Sequence, residues 1–128
     1  MRWIRKLYFL ILRTIGISMS AVHSKCISIL EERLSEIDDD EYFIAIAMLD
    51  SGLDCNAVFN TLRTARRKRA FRRKLIELGI KGAYLDKLTE NYMSDLRGNT
   101  KVDDLITRAH QDYMDWQSKL KSTKKNTI

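Results

Sequence analysis

Apolar residues recur along this chain at helical spacing, and the recurrence divides it into six segments. From Arg2 to about Ile15, Trp3, Ile4, Leu7, Tyr8, Leu10 and Ile11 fall on one broad face, with Arg2, Arg5, Lys6 and Arg13 on the other. A second helix is predicted from about Ser20 to Ile37, with Val22, Cys26, Ile29, Leu30, Leu34 and Ile37 as its buried stripe. His23 falls inside that stripe, where a hydrogen-bonded core histidine is the ordinary outcome. Every residue from Tyr42 to Leu49 is apolar, so a helix over about 42–50 should be central and buried on all sides. The acidic cluster Asp38-Asp39-Asp40-Glu41 suits its N-terminus, where carboxylates meet free N–H groups and the positive end of the dipole. Gly52 is a candidate for its C-terminal turn.

The fourth segment, about 55–78, carries an apolar seam that does not stay on one face. Val58, Leu62 and Ala65 share one side, while Phe71, Leu75 and Leu78 share another, rotated by more than a quarter turn. The break holds Arg66-Arg67-Lys68-Arg69, and four consecutive side chains of a helix point in four directions. One helix cannot bury all of them, so at least two or three should face solvent or a partner. Either the helix projects from the body there or it changes its packing partner. Beyond Gly79 and Gly82, Ala83 to Leu96 reads as a fifth helix with Leu85, Leu88, Tyr92 and Leu96 inward. The last helix has a stripe of Val102, Leu105, Ile106, Ala109, Tyr113, Trp116 and Leu120, with Asp103 and Asp104 in its first turn. Lys121 to Ile128 reads as a polar, frayed basic tail.

Composition agrees with a helical reading. Apolar residues make up 45% of 128 residues, and five glycines with no proline are too few for the many turns of an antiparallel β fold. The expected fold is all-α: a compact bundle of five to six helices in a single domain over 1–120, with the cationic helix 1–15 either docked or peripheral.

Charge changes the picture more. Residues 63–74 hold eight basic side chains and no acid, a block of +8 in a chain of net +6. Residues 31–54 hold nine acids and one base, Arg33, for −8. Arg63, Arg66, Arg67, Lys68, Arg69, Arg72, Arg73 and Lys74 therefore form a candidate phosphate-binding set on one element. Such density suits backbone neutralisation better than selective base contact. The adjacent acidic block offers the competing outcome, internal pairing of the two.

Ile44 to Asn60 resembles a helix-turn-helix, with Gly52 in the turn, apolar Leu53 after it and Val58 six positions beyond the glycine. Met48 stands where a small residue is usual, and Asp54 and Cys55 open the second helix where neutral or basic residues are preferred. The resemblance implies that Asn56, Asn60, Thr61 and Arg63 would lie nearest the base edges.

These features lead to the expectation of a small helical nucleic-acid-binding protein, for DNA or RNA, with modest sequence specificity and an accessory or regulatory role. The alternatives are a protein-interaction module using its opposite charge blocks, or a peripheral membrane-surface protein using residues 2–15. No phosphate-cradling glycine loop, nucleophile elbow or histidine-rich pattern occurs, so neither an enzyme nor a cofactor is expected. Cys26 and Cys55 match no zinc-ligand spacing, and no metal site is expected; the cysteines read as small buried side chains. The apolar run Leu7 to Leu12 is six residues, far too short to span a bilayer. An intracellular, cytoplasmic location is expected, with an organellar presequence in the acid-free N-terminus as the alternative.

Overall fold

A computed structural model describes residues 21–126. These residues are all-α, with six helices and no strand among them: α1 (Ala21–Leu34), α2 (Asp39–Asp50), α3 (Cys55–Glu77), α4 (Gly82–Asn91), α5 (Met93–Arg97) and α6 (Val102–Asn126). The cationic segment 2–15, on which the membrane and presequence readings rest, lies outside the described residues. By contacts the chain divides into a first unit ending at Arg63 and a second beginning at Thr64. Helix α3 supplies residues to both, as its two-faced seam requires.

In the first unit, Cys26, Ile27, Leu30, Ile37, Tyr42, Ala45, Ile46, Leu49, Val58 and Leu62 form one core. Helix α1 stops at Leu34 because Ser35 turns into the left-handed region (φ 63°), so Ile37 reaches the core from the connecting segment instead of from the helix. The acidic cluster opens α2 as expected. The Asp38 side chain accepts from the Glu41 backbone N–H (2.8 Å), and the Glu41 carboxylate accepts from that of Asp38 (3.2 Å), a reciprocal cap. Helix α2 is not buried all round, however. Ile44 is 47% exposed and Ala47 is open to solvent, because α1 and the start of α3 cover only part of its circumference.

The second unit is organised around Phe71, Leu75, Ile80, Leu85, Leu88, Leu96, Leu105 and Ala109. The expected fifth helix is broken into α4 and α5 at Tyr92 (φ −98°, ψ 4°), which still brings both Leu88 and Leu96 inward. Helix α6 remains helical to Asn126, well into the segment expected to be a tail.

One turn device closes both α2 and α3. Gly52 (φ 92°) and Gly79 (φ 88°) sit just past the helix ends, in a region that a Cβ disfavours. The following amides reach back over them, Leu53 to the Met48 carbonyl (3.1 Å) and Ile80 to that of Leu75 (3.0 Å). Ile80 is fully buried after its turn, whereas Leu53 is 46% exposed.

Candidate nucleic-acid interface

Within the second unit the basic run separates into side chains that hold the fold and side chains that do not. Arg67 belongs to the first kind. Its Nε donates to the Leu96 carbonyl (2.8 Å), and its Nη2 donates to the carbonyls of Asp95 (3.3 Å) and Thr100. Asp95 and Leu96 lie in the last turn of α5, where carbonyls lack intrahelical donors and the dipole is negative. The guanidinium thus acts as a tertiary C-cap. Arg72 reaches α4, donating to the Asp86 carboxylate (3.0 Å) and the Thr89 hydroxyl (3.1 Å). Thr89 is buried and passes its own proton to the Leu85 carbonyl (2.7 Å), so the contact is fixed at both ends.

Lys74 pairs with Glu77 at 3.3 Å, one turn along the same helix and equally exposed. Such a pair is worth little and exchanges readily for another anion. Lys68, Arg69 and Arg73 are exposed and make no hydrogen bond or ion pair among the described residues. Arg69 and Arg73 are four positions apart and share a helix face; Lys68 flanks them. Of the consecutive four, Lys68 and Arg69 face solvent while Arg66 and Arg67 are half-buried. The acidic partners found for Arg72 and Lys74, Asp86 and Glu77, both lie outside the 31–54 block.

The residues implied by the helix-turn-helix resemblance lie in the first unit. Asn56, Asn60 and Thr61 are exposed on α3 and Arg63 is half-buried. Asp54 caps this helix, accepting from the Ala57 amide (2.8 Å), and the Thr61 hydroxyl is turned back onto the Ala57 carbonyl (2.8 Å). Val58 is fully buried, as that resemblance requires, but Leu53 is not seated in the core. Arg33, the one base of the acidic block, lies over the Phe59 ring (5.4 Å).

Tyr113 and Trp116 are placed differently from each other. Tyr113 packs against the second core, while Trp116 is 39% exposed and stacked on Tyr84 with centroids 4.4 Å apart. Burial, and then the negative charges of Asp112 and Asp115, push the Tyr84 phenol above its usual range. The same acids would repel phosphate, so this aromatic cluster is a poor base-stacking platform. Burial and a short hydrogen bond to Asp112 (2.6 Å) raise the Tyr92 phenol still further.

Sequence reasoning missed the covalent bond of the first unit. Cys26 of α1 and Cys55, the first residue of α3, form a disulfide with Cα atoms 5.6 Å apart. A separation of 29 residues carries no signal for pairing; only the docking of α1 beside the start of α3 reveals it. His23 is not a core residue but lies beside Asp50, at 3.5 Å. Among the described residues no group of three or more His, Cys, Asp or Glu side chains is placed to hold a metal ion, and no helix is long and apolar enough to cross a membrane.

No family model matches the chain, and neither a curated protein nor a solved structure is similar to it.

Proposed function

We propose that this protein binds nucleic acid through the solvent-facing cations of the second half of α3. The observation that carries the reading is the state of Lys68, Arg69 and Arg73: exposed, adjacent on a rigid helix, and without an anionic partner among the described residues. Lys74 joins them once its exposed bond to Glu77 is exchanged for a phosphate. Arg67 and Arg72 serve instead as struts that fix the helix against α5 and α4.

Arginine and lysine spaced along a helix neutralise phosphates without reading base edges. Binding of modest sequence specificity follows, to DNA or RNA, and an accessory or regulatory role is consistent with it. Asn56 and Asn60 are exposed in the first unit and available for further polar contacts.

The test is binding of labelled duplex DNA, single-stranded DNA and RNA to the wild type and to the Lys68→Gln, Arg69→Gln, Arg73→Gln triple variant. Affinity should fall at least tenfold with helicity unchanged. Equal affinity of the two proteins would dismiss this site, and no binding by either at about 0.1 M salt would dismiss the function.

A further inference from the structure

The disulfide is not sealed in the core. Cys26 is 3% exposed, but Cys55 is only half-buried. Both line a cavity of about 350 Å³ on the first unit, whose wall includes His23, Lys25, Leu53 and Asp54. The walls are largely apolar and the mouth is open to solvent. A small peptide thiol fits such a space, and exposed Lys25 offers a cation to its carboxylate.

We propose that Cys26–Cys55 is a thiol–disulfide exchange site for a small carboxylate-bearing thiol of the glutathione class, entered through the sulfur of Cys55. The incoming thiolate attacks that sulfur, forming a mixed disulfide on Cys55 and expelling the Cys26 sulfur as a thiolate, which takes up a proton. A second thiolate attacks the glutathione sulfur of the mixed disulfide. It releases oxidised glutathione and leaves Cys55 reduced. Two electrons pass from two thiols to the protein disulfide, and the reverse sequence, driven by oxidised glutathione, closes it.

Exchange has a structural consequence because of what the bond joins. It closes a loop of 29 residues and ties α1 to the first turn of α3. Once it is open, α1 keeps no covalent tie to α3 and is held by non-covalent contacts, chiefly the burial of Ile27 and Leu30. The first unit then loosens. The second unit contains neither cysteine and keeps its packing. The bond would open in a reducing compartment and persist in an oxidising one.

The experiment uses the full-length oxidised chain under native conditions with a large excess of reduced glutathione. Adducts are trapped by alkylation and mapped by mass spectrometry. The expected adduct is on Cys55. Amide protection in 23–34 should fall on the order of 100-fold on reduction, with 102–123 unchanged. Given oxidised glutathione in place of the reduced form, the free thiol of Cys26→Ser should take glutathione at Cys55 and release one reduced glutathione, whereas Cys55→Ser should leave Cys26 unmodified. A bond that yields only after denaturant unfolds the chain, an adduct on Cys26, or unchanged protection after reduction would overturn the proposal.

Discussion

Arg67 and Arg69 are two residues apart in one basic run, yet they should respond oppositely to the same substitution. Arg67→Gln removes three charge-assisted donors from the carbonyls of Asp95, Leu96 and Thr100. Carbonyls left without a donor cost about 1–3 kcal/mol, so urea unfolding should show a loss of about 2 kcal/mol or more. Arg69→Gln touches no partner and should stay within about 0.5 kcal/mol of wild type, its effect appearing in nucleic-acid affinity instead. Tyr92 gives a second residue-scale prediction. Its phenol is held above the ordinary value of 10.0, first by burial and then by its bond to Asp112. The folded state therefore keeps its proton longer than the unfolded state. Stability from this residue is fully present below pH 10.0 and declines as pH rises beyond it. Tyr92→Phe should be about 1 kcal/mol less stable at neutral pH and should show a shallower decline in the alkaline range. A steeper decline in the variant would refute this assignment.

At the scale of elements, helix ends decide much of the fold. Gly52→Ala and Gly79→Ala place a Cβ at φ 92° and 88°, where no neighbour lies within 4 Å, so the cost is backbone strain alone. Each should lower stability by about 1–2 kcal/mol in chemical denaturation, the first acting on the turn after α2 and the second on that after α3. These ends were legible in the sequence, because glycine after an apolar run and acids before one act locally. The two-faced seam of α3 was legible for the same reason, and with it the expectation that at least two of Arg66-Arg67-Lys68-Arg69 stay out of the core, though not which two. The break at Tyr92 was not, since neither glycine nor proline marks it and the apolar spacing runs straight through. Nor were the partners of Arg67 and Arg72 legible, which lie 28 to 33 and 14 to 17 positions away and meet their arginines only after folding. The sequence thus implied that the +8 run is divided, and the structure shows where the division falls.

For the whole molecule, that division sets how binding should depend on salt. Each phosphate neutralised releases condensed counterions, so the logarithm of affinity falls with that of salt by about 0.9 per contact on duplex DNA. If all eight cations of 63–74 engaged, the slope would be about −7. If Lys68, Arg69, Arg73 and Lys74 engage while Arg67 and Arg72 remain struts, it should be about −3 to −4. The net charge of +6 does not enter this slope directly, because the block of −8 over 31–54 belongs to other elements. That block belongs to the first unit, whereas Lys68, Arg69, Arg73 and Lys74 belong to the second. The slope is to be taken between about 0.1 and 0.3 M salt, across which a contact count of four or of eight is separated clearly. Measured by fluorescence anisotropy over that range, a slope near −7 would mean that binding pulls Arg67 and Arg72 from their carbonyl and carboxylate partners. The second unit would then have to rearrange on nucleic acid. A slope near −3 to −4, reduced to about −1 by the Lys68, Arg69, Arg73 triple substitution that leaves Lys74, would mean that the fold has already selected the cations it uses.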